Sequence, residues 1–259
     1  MLSDQDKQVL TELKAVFDAL NIPMLLVGAG ARLIIFDNRY KIQGRSTKDW
    51  DIAIPIGNWS DYRVLRDRLT QGDSPRFKTT DNAHQFIHLE TRIAVDIVPF
   101  GKIGEPDQQI EWPDSGNPMN VAGFDEALQH ASIETIDGLE LQVVDTPALV
   151  ALKLIAWGDR GERTRKDLDD IDFILKNYSD DERVYEELID ELVNGDIEYI
   201  DAPIYLVGQD IRKIFRDETV NQLNSLLEQL VPNSEDEVDD SPEYRLKVLQ
   251  RGINRVISG

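Results

Sequence analysis

Apolar residues recur at helical spacing close to the start of the chain, where Val9, Leu10, Leu13, Val16, Phe17 and Leu20 fall on one face of a 3.6-residue repeat. Ser3, with Asp6 three residues on, is a weak capping signal that opens this helix. Asn21-Ile22-Pro23 stops it, and Met24-Leu25-Leu26-Val27 reads as a short buried strand. That strand runs into Gly28-Ala29-Gly30-Ala31 and a second apolar helix through Leu33-Ile34-Ile35-Phe36. A polar stretch over 37–48 precedes a strand over 50–54, and Ser60 is placed to N-cap a helix to about residue 69. Two further strands are expected at about 86–89 and 93–98. Helix and strand thus alternate, which predicts a mixed-sheet domain of the α/β (α+β) kind over 1–110.

Beyond it, Trp112 to Pro118 is rich in Pro, Gly and Asn and reads as a loop. Residues 133–144 form a hairpin turning at Asp137-Gly138. Thr146-Pro147 begins a helix, with Pro at its first position. Helices follow at about 147–157, 164–177, 182–194, 208–216 and 219–230, so a mainly helical domain is expected over 111–232. Residues 233–243 are an acidic, Pro-containing linker, and 244–259 carry a terminal helix. No internal repeat interrupts this order.

Composition narrows the function classes. The 259 residues are 41% hydrophobic and 30% charged, as in ordinary globular proteins. No apolar run approaches the ~18 residues that cross a bilayer, so no membrane partner is expected. There is no cysteine, hence no disulfide or thiolate metal site, and residues 1–7 are too polar for a secretory signal. The cytoplasm is the simplest location. With 28 basic against 49 acidic residues the net charge is −21, which argues against an extended nucleic-acid-binding surface. It does not argue against a Mg²⁺–nucleotide, because the metal brings positive charge into the site.

The densest chemistry lies at Arg45-Ser46-Thr47-Lys48-Asp49-Trp50-Asp51. Two carboxylates at i and i+2 on a strand share a face and lie about 6–7 Å apart along it. Such a pair can hold one divalent cation or straddle two, as phosphoryl-transfer sites require. Asp-x-Asp on a solvent-facing strand is the bland alternative. A third acid, Asp96, interrupts the apolar run Ile93-Ala94-Val95-Asp96-Ile97-Val98, where a carboxylate is costly unless paired or bound to metal. A salt bridge to Arg92 or Arg45 would also satisfy it. Gly28-Ala29-Gly30, between a strand and a helix, allows backbone N–H groups to approach a phosphate. A Gly-x-Gly turn also suggests a dinucleotide fold, with an NAD(P)-dependent oxidoreductase as the alternative. However, Leu33 stands where the third glycine of that fingerprint belongs.

The order Gly28-Ala29-Gly30, Asp49-Trp50-Asp51 and Asp96 resembles the polymerase-β-like nucleotidyltransferases. Within them, Arg45-x-Thr47-x-Asp49-x-Asp51 is similar to the abortive-infection, AbiEii-like toxin type. Lys153, followed by Arg163-Thr164-Arg165-Lys166-Asp167-Leu168-Asp169-Asp170, is similar to that type's Lys and Arg/Lys-Asp-x-x-Asp on consecutive helices. The resemblance covers about 24–177. It implies a Mg²⁺-dependent (or Mn²⁺-dependent) transfer of NMP from an NTP to an acceptor hydroxyl on a tRNA end, a protein or a small molecule. Asp49 and Asp51 would bind the metal, with Asp96 as ligand or general base. Gly28, Ala29, Gly30, Arg45 and Thr47 would line the nucleotide. Lys153, at the margin of its helix's packed face, would hold the triphosphate, and Asp167 would orient the cations around it. An active site between the two domains and an antitoxin partner are further implications. Ala29 and Gly30 replace residues that often carry a hydroxyl, so a catalytically weak nucleotide-binding module is the other alternative.

Several polar clusters carry less. His84 and His88 are four apart with no third zinc ligand in sight, and His130 reads as a helix-end residue. Arg160, Arg163, Arg165 and Lys166 either balance the following aspartates or receive phosphates. Trp157 reads as a packing residue.

Overall fold

The computed structural model describes residues 2–42, 49–231 and 240–255. Arg45 and Thr47, and most of the expected acidic linker, lie outside them. By contacts the chain divides into Met1–Asp145 and Thr146–Gly259.

The first unit opens with α1 (Asp4–Leu20), whose N-cap Ser3 accepts the Asp6 N–H at 3.1 Å and whose C-cap Asn21 is left-handed. Val9, Leu10, Leu13 and Phe17 are its buried face, as the periodicity predicts. β1 (Leu25–Val27) runs directly into α2 (Gly28–Ile35), and after a polar segment come β2 (Asp49–Pro55) and α3 (Trp59–Thr70). Asn58, rather than Ser60, caps α3, because its side-chain oxygen accepts both the Ser60 and Asp61 N–H groups. There follow β3 (Phe77–Thr79), β4 (Gln85–His88), β5 (Ala94–Phe100), a small hairpin of β6 (Gln109–Glu111) and β7 (Pro118–Asn120), and α4 (Phe124–His130). β8 (Ser132–Ile136) and β9 (Leu139–Val143) turn at Asp137-Gly138, where both residues take positive φ as the sequence demands.

Seven strands make one mixed sheet in the order β3-β4-β5-β2-β1-β9-β8. β2 and β5 are parallel neighbours, while β1 is antiparallel to β2 and parallel to β9. A dinucleotide fold requires β1 and its successor to be parallel across a helical crossover, and this sheet does not have that arrangement. The β8–β9 hairpin joins the main sheet, which is why the first unit extends to Asp145 and not to residue 110. Its core is aliphatic and aromatic, with Leu25, Leu26, Ile52, Ile54, Phe86 and Ile97 among the fully buried side chains.

The second unit is helical: α5 (Thr146–Arg160), α6 (Lys166–Asn177), α7 (Asp181–Glu187), α8 (Ile189–Asn194), α9 (Ala202–Ile214), α10 (Asp217–Leu230) and α11 (Pro242–Ile253). The helix expected over 182–194 is two short helices that meet at Leu188, and the one expected over 208–216 begins at Ala202 with Pro203 in its first turn. α11 is no appendage. Leu246, Val248, Leu249 and Ile253 are buried, and α9 and α11 cross at Gly208 and Gly252. A Cβ at Gly208 would collide with the Leu249 carbonyl, and one at Gly252 with the Tyr205 carbonyl. Arg245, 5% exposed, donates to Asp172 on α6 at 2.9 Å and also pairs with Asp240. Among the described residues no helix is long and apolar enough to cross a membrane.

Candidate active site

Asp49 and Asp51 sit on one face of β2, and the buried Trp50 between them points to the other. The Trp50 indole N–H donates to Asp6 on α1 at 3.0 Å, and its ring lies under Gly30, where any Cβ would strike it. β2 and β5 run parallel in a register that sets Asp51 beside Asp96 and Asp49 beside Ala94. Both strands alternate between buried and half-buried in their first three positions, so the acid-bearing face is open. β5 was expected to be buried on both faces, but its Asp96 side chain keeps 21% exposure and needs no full desolvation.

β1 lies on the other side of β2, with Val27 opposite Asp51. The turn into α2 therefore arrives directly at this acid. Gly28 is left-handed (φ +64°), and a Cβ there would run into the Asp51 carboxylate. The Ala29 N–H donates to Asp51 Oδ2 at 3.3 Å. Of the small-residue turn, this amide thus orients an acid, where a phosphate contact was expected.

On the far side of Asp96, Gln85 is its direct antiparallel partner, and the Gln85 amide donates to Asp96 Oδ1 at 3.0 Å. His84 Nε2 stands 4.0 Å from Asp96 Oδ2. The His84 ring packs on Trp112, which also meets Trp59 and Tyr62. The Tyr62 hydroxyl donates to the Ile97 carbonyl at 3.0 Å, and burial, with the negative charge of Asp96, pushes its pKa up. Sequence reading missed Gln85, which depends on the β4–β5 register, and this ring cluster, whose members come from α3, the residue before β4 and the residue after β6.

Three oxygen-only acids on neighbouring positions suit a hard cation that keeps some of its own water. Among the described residues no three acidic or histidine side chains stand close enough, as placed, to form a closed metal site. Carboxylate oxygens are nonetheless the donor type that Mg²⁺ or Mn²⁺ takes.

The helical unit holds a second charged group. Lys153 is not at the margin of its helix: it is buried, with Nζ 2.7 Å from Asp170 Oδ2 and 3.9 Å from Asp167 Oδ1. Asp167, also buried, receives a two-pronged contact from Arg160, with both N–O distances 2.8 Å. Arg160 is 54% exposed. His88 is buried against Glu12 and Thr91, which accounts for it without zinc.

The family model described as nucleotidyl transferase AbiEii toxin, type IV TA system, matches residues 13–244. No curated protein matches the chain. Among solved structures it is similar to ANT(2")-Ia in complex with adenylyl-2"-tobramycin, with 14% identity, 64% of this chain and 86% of that one covered, and a TM-score of 0.41. An antigenic nucleotidyltransferase-like protein from Paracoccidioides brasiliensis gives 17%, 67%, 76% and 0.44 for the same measures. The CdnE cyclic dinucleotide synthase of Elizabethkingia meningoseptica gives 9%, 96%, 92% and 0.30.

Proposed function

The chain belongs to the AbiEii family of nucleotidyl transferase toxins from type IV toxin–antitoxin systems, and on that premise we propose that it transfers NMP from a Mg²⁺–NTP to an acceptor hydroxyl at Asp49, Asp51 and Asp96. The observation that carries this reading is the register of β2 and β5, which sets Asp51 beside Asp96 on an open face.

In the proposed reaction the acceptor oxygen forms a bond to the α-phosphorus. The bond from that phosphorus to the pyrophosphate oxygen breaks, and its electron pair leaves with pyrophosphate. The proton of the acceptor passes to Asp96, whose other oxygen is held by Gln85. Asp49 and Asp51 would hold the metal, which when bound offsets the charge that develops on the phosphate oxygens. The Ala29 amide fixes the rotamer of Asp51, and Gly28 leaves room for it. Gly30, Arg45 and Thr47 are assigned to the nucleotide.

For the helical unit we assign phosphate binding to the Lys153 group. Lys153 anchors Asp167 and Asp170, and Asp167 in turn grips the Arg160 guanidinium through Nε and Nη2, which fixes the position of its charge. An antitoxin partner follows from the family, and the acceptor is a tRNA end, a protein or a small molecule.

The test is incubation of the purified protein with each α-labelled NTP, Mg²⁺ and cell extract. Label is expected on an acceptor with at least one NTP and is lost in Asp51→Asn. Absence of labelling with all four NTPs by the folded protein would overturn the reading.

A further inference from the structure

We propose that His84 and its ring cluster form the acceptor subsite, taking an alcohol with a flat or ring-shaped apolar face. The proposal rests on the transferase reading above and adds where the acceptor docks.

The two carboxylate oxygens of Asp96 face different groups. Oδ1 accepts the Gln85 amide at 3.0 Å. Oδ2 is 4.0 Å from His84 Nε2, too far for a direct hydrogen bond. A hydroxyl oxygen about 2.8 Å from each atom bridges that gap with near-ideal hydrogen bonds to both. It would then sit on the acid that takes its proton.

The subsite is held rigid from behind. The His84 carbonyl accepts the Ile97 N–H at 2.8 Å, and its ring centroid is 5.4 Å from that of buried Trp112. Trp59 and Tyr62 pack on Trp112 with centroids at 5.2 and 5.7 Å. The Tyr62 hydroxyl contacts both the Ala83 and Ile97 carbonyls, which tie this wall to β5. Yet His84 itself keeps 37% exposure, and Trp59 is also partly exposed. A histidine packed for structure alone, as His88 is against Glu12 at 1% exposure, has its ring nitrogens satisfied inside the protein. His84 offers one nitrogen toward the open acid-bearing face. Rings beside that nitrogen suit an apolar flank of the acceptor. The net charge of −21 disfavours a polyanion there.

In the transfer, His84 holds the acceptor hydroxyl while its oxygen bonds to the α-phosphorus, its proton passes to Asp96, and pyrophosphate leaves with the electron pair of the broken bond. Nothing is oxidised or reduced.

The test uses the full chain with α-labelled NTP, Mg²⁺ and cell extract, and reads the ratio of acceptor-linked label to free NMP released by water. His84→Ala should lower that ratio roughly ten-fold, the worth of about one hydrogen bond, while keeping the rise in thermal midpoint produced by Mg²⁺–NTP. His84→Asn, which keeps a polar group there, should recover part of it. An unchanged ratio in His84→Ala overturns the subsite, as does loss of the thermal response together with labelling, which marks a structural role. A wild-type protein that neither labels an acceptor nor releases NMP instead overturns the transferase reading, and this inference with it.

Discussion

Asp51 and Asp96 stand side by side on adjacent parallel strands, and each has one carboxylate oxygen held by a neutral N–H donor, from Ala29 and from Gln85. Two carboxylates one strand spacing apart repel each other, and a divalent cation removes the conflict. Mg²⁺ with NTP should therefore raise the thermal midpoint. At a hundred-fold excess over Kd the linkage is about 2.7 kcal/mol, several degrees for a protein of this size. Asp51→Asn should fold with unchanged or higher apo stability and lose the response, which calorimetry with and without Mg²⁺–NTP would read. Retention of the full response would remove Asp51 from the site, and EDTA should abolish the response in the wild type.

Gly28→Ala should be damaging twice over. The left-handed backbone alone costs an L-residue about 1–2 kcal/mol, and the new methyl displaces the Asp51 carboxylate. The variant should unfold at lower denaturant and bind Mg²⁺–NTP more weakly, whereas Gly72→Ala, where a Cβ meets nothing, pays the backbone cost alone. Equal nucleotide affinity in Gly28→Ala would show that the cradle is not part of the site.

Lys153 makes a different kind of prediction. Its removal leaves Asp170 and Asp167 buried with only part of their compensation, so Lys153→Ala should cost about 3–5 kcal/mol. Pairing it with Asp170→Leu should restore much of that stability, because the stranded charge is removed. A double-mutant cycle by urea unfolding gives the coupling. If Lys153 also serves phosphate through Asp167 and Arg160, the stable double variant should still bind NTP more weakly; wild-type affinity would confine Lys153 to folding.

Truncation after Leu230 tests α11. The sequence suggests an independent tail whose loss leaves nucleotide binding intact. Instead α11 contributes four buried aliphatic side chains, each worth about 1.5–3 kcal/mol on burial, and the Arg245 contact to Asp172. Truncated protein should lose cooperative unfolding of its helical unit, seen as a lower helical signal by circular dichroism. Gly252→Val should do much the same by forcing α11 off the Tyr205 carbonyl.

The fold class was legible because period and punctuation agree: α1 with its Ser3 cap, the Asp137-Gly138 turn, and an apolar β5 that a lone Asp interrupts. Asp49 and Asp51 stand out for the same reason, being polar on alternate positions of an otherwise apolar strand. What escaped depends on long-range pairing. Nothing local in Ala83-His84-Gln85 says that Gln85 lies opposite Asp96, or that Trp112 will support His84 from a separate hairpin. Lys153 reads as marginal on its helix because its partner Asp170 belongs to the next one. Pro203 hid the true start of α9, since a proline in a first turn looks the same as one that ends a helix.

The crossing of α9 and α11 at Gly208 and Gly252 also orders events in time. The sheet unit has all of its strands once residue 145 has been synthesised, whereas the helical unit waits for residue 253 before it can close. A ribosome-bound chain thus passes through a stage in which the aspartate-bearing sheet is formed and the Lys153 and Arg160 group is not.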